Sequence, residues 1–332
     1  MNNNIKIAFV GCGALTKMFY QPVLHRLGIK PFALVDPFTE RTKVLAKEWG
    51  AEIVVASVEE LPENIDAAII ASPNFLHAEQ AKFFLEKGKH VLLEKPMTVN
   101  DEEGSALIAT AKKSGASLQV AMMRRFWKLN IAVKKMLENN LLEKITSVSM
   151  YEGGVMNWPA QSLALFDKKQ SLGGVLIDTG SHTLDLLCWW MQDTPVDIKY
   201  KDDYKGGVET DCELSFRFKN SGTKAEVCLT RIRNLSNEYK ITGEKGWIMV
   251  RPFGNLFETS DSSITKQLYT IYPEAELKNQ TIHDVFDEQV KSWLQAISTG
   301  SQPLVNAESV LPSIQLIENC YRERTDKSYP WD

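Results

Sequence analysis

Ile5-Lys6-Ile7-Ala8-Phe9-Val10-Gly11-Cys12-Gly13-Ala14-Leu15-Thr16 decides how this chain is read. A short apolar run ends in a turn with two glycines, and a helical pattern follows at once. The first glycine permits a tight turn. The second lets the backbone approach a phosphate held at the N-terminus of the following helix. Gly11, Gly13, Ala14 and Leu15 are therefore candidate contacts to the pyrophosphate of a dinucleotide. Thr16 stands where a third glycine normally serves close packing of helix on strand, so a slightly looser fit is expected there. Two glycines alone say little; their place between strand and helix supplies the specificity.

Outward from this turn the pattern repeats. Runs at 5–10, 32–35, 52–55, 67–71, 91–93 and 118–121 are rich in Val, Ile, Leu and Ala, as strands buried on both faces require. Helical stretches at 15–27, 41–49, 76–87 and 101–114 lie between them, and Gly28, Gly50, Gly88 and Gly115 fall where C-caps belong. Alternating strands and helices predict a doubly wound parallel sheet, an α/β Rossmann domain over residues 1–123. Pro22 lies inside the first helix and predicts a kink or break there, with the helix restarting at Pro22.

After Arg124 helices are followed by longer strands and turns. Residues 124–332 are thus expected to form an α+β domain on a large, open, mostly antiparallel sheet. Its strands are placed at 145–151, 196–200, 212–218, 224–232, 238–242 and 246–250, with a hairpin at Asn220-Ser221-Gly222. Helices are placed at 128–138, 175–191, 282–299 and 306–324. A chain of 332 residues suits two cores, since single cores stop growing near roughly 250–300 residues.

A net charge of −4 without long basic runs argues against nucleic acid and anionic membrane as partners. The start lacks a signal-peptide pattern and no apolar stretch is long enough to span a bilayer, so a cytoplasmic location is expected. Five scattered cysteines without a CxxC pair predict neither a disulfide framework nor a metal site.

The other candidate residues sit at expected strand ends. Asp36 ends the second strand, where a carboxylate accepts from the adenosine ribose 2′-hydroxyl. That favours NAD, while nearby Arg41 leaves NADP open. Ser72-Pro73-Asn74 with His77, and Glu94-Lys95-Pro96, follow the fourth and fifth strands, on the edge that holds ligands in open α/β sheets. Taken singly, Lys95 also reads as a surface lysine in a turn. Gly173-Gly174 precedes a helix on which Asp178, His182 and Asp185 share a face. A carboxylate beside an imidazole orients it and tunes it as a base, although an acid in the first turn is also ordinary capping. Trp189 and Trp190 read as core residues.

Taken in register, the glycine turn, Ser72-Pro73-Asn74-Phe75-Leu76-His77, Glu94-Lys95-Pro96 and Gly173-Gly174 with Asp178-Thr179-Gly180-Ser181-His182 resemble the glucose-fructose oxidoreductase, inositol dehydrogenase and rhizopine catabolism (Gfo/Idh/MocA) family. The resemblance runs over nearly the whole chain. It implies oxidation or reduction of a secondary hydroxyl on a sugar, cyclitol or sugar derivative with a nicotinamide cofactor. It also implies that Lys95 is the active-site lysine, that Asp178 and His182 face it, that the Lys95-Pro96 bond is cis, and that a homodimer or homotetramer forms through the second sheet. Leu172, where a third consecutive glycine is frequent, and Thr16 depart from the pattern. Trp158 is a candidate sugar-stacking residue.

In the leading mechanism His182 is the base, Asp178 orients it, and Lys95 polarises the hydroxyl and stabilises developing alkoxide charge; Lys95 and His182 are interchangeable at this stage. Two rivals are an NAD-dependent glycosidase working by transient oxidation and elimination, and a non-catalytic dinucleotide-dependent sensor or co-regulator.

Overall fold

The computed structural model describes residues 5–157, 167–204, 207–252 and 256–327; Trp158 lies outside them. The first unit runs β1 (Ile7–Val10), α1 (Gln21–Arg26), β2 (Ala33–Val35), α2 (Thr39–Trp49), β3 (Ile53–Val55), β4 (Ala67–Ile70), α3 (His77–Glu86), β5 (His90–Leu93), α4 (Asp101–Ser114) and β6 (Leu118–Val120). The strands form one six-stranded sheet in the order β3-β2-β1-β4-β5-β6, every pair parallel. Strand order reverses between β1 and β4, so their carboxyl ends diverge and open the crevice where dinucleotides sit in such folds. Gly28, Gly50, Gly88 and Gly115 all take positive φ just past their helices, the conformation that glycine reaches without a Cβ clash.

The first helix differs from expectation in kind. Thr16–Tyr20 form a π turn, in which the Gln21 N–H donates to the Thr16 carbonyl. α1 then begins with Pro22 in its first turn, where a missing N–H costs no intrahelical bond. The helix therefore widens before the proline rather than breaking at it.

The second unit runs α5 (Lys128–Glu138), β7 (Ile145–Gly153), α6 (Lys168–Ser171), α7 (Val175–Met191), β8 (Pro195–Asp202), β9 (Asp211–Phe218), β10 (Lys224–Thr230), β11 (Glu238–Gly243), β12 (Gly246–Val250), β13 (Phe257–Thr259), α8 (Ser262–Ile271), α9 (Glu274–Asn279), α10 (Ile282–Thr299), α11 (Ala307–Arg322) and β14 (Arg324–Asp326). Its eight strands are ordered β13-β12-β11-β7-β10-β9-β8-β14. All neighbours are antiparallel except β7 with β10 and β8 with β14. One face, carrying Val148, Met150, Leu214, Phe216, Val227 and Ile241, packs into the core with α7 and α11 residues such as Leu184, Leu187 and Leu316. On the other face Lys199, Arg217 and Glu226 are exposed, the alternation of a sheet covered on one side. Trp190 is buried in this core and Trp189 packs against it.

The chain then returns to its first unit. Val285, Phe286, Val290 and Trp293 of α10, with Val310 and Ile314 of α11, lie in the Rossmann core. Two consecutive arginines bind the units together at the end of β6. Arg124 reaches Glu152 of β7 with two nitrogens, 2.9 and 2.7 Å, and Thr183 Oγ1 donates to the same carboxylate. Arg125 grips Asp185 of α7 with Nε (2.8 Å) and Nη2, and also donates to Ser309 at the start of α11. All four charged side chains are buried. No described helix is long and apolar enough to cross a membrane, and all five cysteines are free and buried.

Asp185→Ala would leave Arg125 as a buried cation without its carboxylate, a change that costs about 3–5 kcal/mol. The urea midpoint is expected to drop by that equivalent. A midpoint within about 0.5 kcal/mol of the parent, the range of ordinary surface substitutions, would contradict this reading of the pair.

Candidate active site

The glycine turn is shaped by contacts from three strands. Gly11 has φ +92°, and its N–H donates to the Val35 carbonyl at 2.8 Å. A Cβ there would lie 2.5 Å from the Ala71 carbonyl oxygen, so no larger residue fits without displacing β4. Gly13 is the opposite case, with no atom beyond its own chain neighbours within 4 Å of where a Cβ would be. The turn is closed on the sheet side by Gly11 and open on the outer side at Gly13. An open concavity at the head of a helix fits a pyrophosphate. Ala14 and Leu15 begin that helical segment, and Leu15 packs on the Rossmann core. Thr16 is fully buried and its hydroxyl donates to the Gly11 carbonyl at 2.7 Å. The departure from glycine therefore ties the turn to its own helix instead of loosening it.

Asp36 is drawn into the same turn. Its Oδ2 accepts from the Cys12 N–H at 2.8 Å and its Oδ1 from the Phe38 N–H at 2.9 Å, while Arg41 lies 3.7 Å from Oδ1. Each oxygen keeps a lone pair, so the carboxylate fits a ribose hydroxyl while it fixes the turn.

The next two strand ends are joined by His77. It is 1 % exposed, and its ring nitrogens lie 2.7 Å from the Pro96 carbonyl and 2.9 Å from the Ser72 carbonyl. Burial holds its pKa below that of a free imidazole. Expected as a cofactor contact, His77 is seated between the Ser72 and Pro96 carbonyls, and with its ring neutral it donates to one of them at a time. Ser72 Oγ donates to Gln80, and Asn74 Nδ2 donates to the Ser171 carbonyl, which links this edge to the second unit; Pro73 between them is exposed. Glu94 is buried, accepts from the Tyr20 hydroxyl at 2.6 Å and receives the Lys95 N–H at 3.2 Å. Burial pushes its pKa up, against the pull of the Tyr20 hydrogen bond and Lys95. The Lys95–Pro96 peptide is cis.

Across from Lys95, α7 begins at a crowded point. A Cβ on Gly174 would lie 1.8 Å from the Glu209 carbonyl oxygen, and one on Gly173 2.3 Å from the Tyr321 hydroxyl. Glu209, 1 % exposed, caps the helix: Oε1 accepts from the Gly174 and Leu176 N–H groups and from the Tyr321 hydroxyl. Leu172 adopts left-handed φ +65°, so the backbone there takes a conformation more usual for glycine despite the side chain.

Asp178, in the first turn of α7, takes Lys95 Nζ on Oδ1 at 2.7 Å and on its carbonyl at 3.1 Å. Its Oδ2 accepts from Arg231 Nη2 at 2.8 Å. Burial opposes its ionisation, but Lys95 and Arg231 outweigh this and hold the carboxyl well below the usual range. The expected orienting hydrogen bond from Asp178 to His182 is absent; each oxygen accepts from a cation instead, and the two groups interact only through space. His182 lies one turn further along, and its Nδ1 is buried without a hydrogen-bond partner. Burial, with Lys95 and Arg124 nearby, pushes its pKa well below the ordinary value, so the ring is neutral at pH 7. Asp185 shares the helical face only nominally, being wholly engaged by Arg125.

Lys95 and Asp178 thus meet, with His182 one helical turn further along, off the carboxyl edge of the first sheet, the same edge that carries the glycine turn. Arg231, Glu209 and Tyr20 were not singled out in the sequence. Nothing local marks them, since their partners lie 53, 35 and 74 residues away.

Residues 5–122 match the oxidoreductase family described by an NAD-binding Rossmann fold, and residues 134–330 match its C-terminal alpha/beta domain. The chain is 21% identical to the inositol 2-dehydrogenase of Rhizobium meliloti, over 97% of this chain and 98% of that protein. It is 30% identical to the scyllo-inositol 2-dehydrogenase (NADP(+)) IolW of Bacillus subtilis, over 55% of this chain and only 51% of that protein. Among solved structures, the WlbA dehydrogenase from Bordetella pertussis in complex with NADH and UDP-GlcNAcA superposes with a TM-score of 0.82 at 20% identity, covering 97% of this chain and 96% of that one. With both of its domains matched along the sequence, the chain belongs to the Gfo/Idh/MocA oxidoreductase family, and its first sheet is the family's NAD-binding Rossmann fold.

Proposed function

We propose that this oxidoreductase oxidises, or in reverse reduces, one secondary hydroxyl of a sugar, cyclitol or sugar derivative. The observation that carries the reading is the meeting of Lys95 with Asp178 and the neutral His182 at the edge where the glycine turn opens. The full-length similarity to an inositol dehydrogenase supports the same substrate class.

A bound nicotinamide supplies the hydride acceptor at its C4. The protein handles the proton and the charge. Lys95, with its ammonium fixed by Asp178, donates to the reacting oxygen and stabilises alkoxide character as the O–H bond breaks. His182 is the proton acceptor of this proposal: its ring is neutral and offers a lone pair one helical turn from Asp178, although the shift that keeps it neutral also weakens it as a base. Asp178 is the counter-ion of Lys95. Its anchored carboxylate lacks the orienting contact to His182 that the helical spacing predicted. NAD is the proposed cofactor, with Asp36 on the ribose 2′-hydroxyl and Arg41 the group that would have to turn to receive a 2′-phosphate. A homodimer or homotetramer through the open face of the second sheet, and a cytoplasmic location, belong to the same proposal.

The first test is a panel of free sugars, cyclitols, sugar phosphates and nucleotide sugars with NAD and with NADP, followed by absorbance of the reduced cofactor. Turnover on at least one polyol is expected. Sugar release from a glycoside without accumulation of reduced cofactor, or cofactor binding with no turnover at all, would replace the proposal by one of its two rivals.

Lys95→Ala and His182→Gln should each lower kcat on the best substrate by about 10²–10⁴-fold, the usual worth of a positioned acid or base, while NAD binding is kept. Retention of most of kcat by either variant would remove that residue from the mechanism.

The sign of the His182 shift fixes its pH behaviour. A folded-state pKa below the ordinary value means that stability is full above about pH 6.5 and declines as the pH falls toward the folded value. Ring resonances of His182 should therefore titrate below 6.5, and the acid limb of kcat should lie there too. A ring that titrates at or above 6.5 would be incompatible with the site as described.

A further inference from the structure

We infer that Arg231 is a positioning residue of this active site, one that holds the Asp178 carboxylate against Lys95 and so leaves His182 as the proton acceptor. The inference rests on the function proposed above, and it starts from a contrast among three buried arginines. Arg124 spans both oxygens of Glu152 with two nitrogens, and Arg125 does the same to Asp185. Such two-point pairs engage both oxygens of the carboxylate. Arg231 behaves differently. It takes only Oδ2 of Asp178, at 2.8 Å, with the same Nη2 that donates to the Gly174 carbonyl at 3.2 Å. Oδ1 is left for Lys95.

This division costs something. Arg231 is 7 % exposed, and its Nη1 is buried with no hydrogen-bond partner. A two-point pair with Asp178 would satisfy that nitrogen, and leaving a buried donor unmade is unfavourable by about 1–3 kcal/mol. A guanidinium selected for stability alone would close the fork. The open arrangement instead fixes one oxygen to the end of β10 and the first turn of α7, and turns the other across to the end of β5. Lys95 has a long, flexible side chain, and this anchored oxygen sets where its ammonium stands.

The charged groups around Asp178 are Lys95 from the first sheet, Arg231 from the second, and His182 on its own helix. Glu209, behind the helix start, is occupied by two N–H groups and the Tyr321 hydroxyl. Arg124, beyond His182, is locked to Glu152. With Arg231 and Lys95 on its two oxygens, Asp178 is held as an anion of low basicity, a poor acceptor for the substrate proton. Removing Arg231 frees Oδ2 to rotate, protonate or turn toward His182.

The test uses Arg231→Gln and Arg231→Lys in the full-length protein, with three readouts: carbon-13 titration of the Asp178 carboxyl, NAD binding, and the pH dependence of kcat on the best polyol from the panel. In the Gln variant the carboxyl should titrate at higher pH than in the parent. Its kcat should fall on the order of a hundred-fold, the size of effect that a misplaced catalytic group produces, with NAD affinity kept and the acid limb moved to higher pH. The Lys variant, which keeps the cation, should restore most of the carboxyl titration and of kcat. An unmoved Asp178 titration in the Gln variant, or a loss of kcat that only follows the folded fraction with an unaltered pH profile, overturns the inference. If the Gln variant does not fold, Arg231→Met takes its place under the same readouts: an Asp178 titration raised above the parent supports the inference, and an unmoved one overturns it. Absence of turnover in the parent sinks the proposed function instead, and the titration then decides alone whether Arg231 holds Asp178.

Discussion

The Asp178 carboxylate is shared between Lys95, which ends a strand of the parallel sheet, and Arg231, which ends a strand of the other. One small anion therefore joins the two units where the chemistry takes place. Much of the surrounding architecture fixes that point. Gly173 and Gly174 let α7 start against the loop that carries Glu209, and the Glu209 carboxylate satisfies the N–H groups at the helix start. On the opposite side Glu94 and His77 brace the two turns that present Lys95. A flexible lysine is thereby held to one direction from below and from in front.

The two buried arginines after β6 do related work at larger scale. Arg124 and Arg125 stand at the crossing from the first sheet into the second unit, and each takes a carboxylate from that unit. Such pairs add little net stability over an apolar packing of the same shape, but a misplaced partner is heavily penalised. Their effect is to select one relative placement of β6, β7 and α7. α10 and α11 reinforce it by packing in the first core before the chain returns to the second sheet as its edge strand β14.

Much of the fold was legible because local chemistry and global placement agree. α4 is a clear instance: Asn100 caps it, Asp101, Glu102 and Glu103 fill its first turn, and Gly115 ends it in the left-handed conformation. Short elements such as α6, α9, β13 and β14 went unread, since three to six residues carry too little periodicity to stand out. α8 is longer, and its Asp261 cap was a usable signal. At the site, helical spacing placed Asp178 and His182 on one face but implied the wrong partnership. An i,i+4 pair on a helix is worth only about 0.2–0.5 kcal/mol. Hydrogen bonds to charged groups reach about 1.5–3 kcal/mol when shielded from water, so the cations arriving from other elements prevail.

The sequence by itself determined the parallel sheet and the glycine turn with Asp36 beyond it, while Lys95, Asp178 and His182 came together as a set only through the family resemblance. The sheet and the turn depend on residue type and short-range spacing: apolar runs between helical stretches, glycine where no Cβ fits, an acid at a strand end. Tertiary structure alone decided the partners. Arg231 on Asp178, Glu209 on the head of α7, Tyr20 on Glu94 and the hydroxyl of Thr16 on Gly11 are all settled by which chain segments the two sheets bring within hydrogen-bond reach. A buried charge or donor must find its complement wherever the fold supplies one, and the linear order of residues does not record where that is.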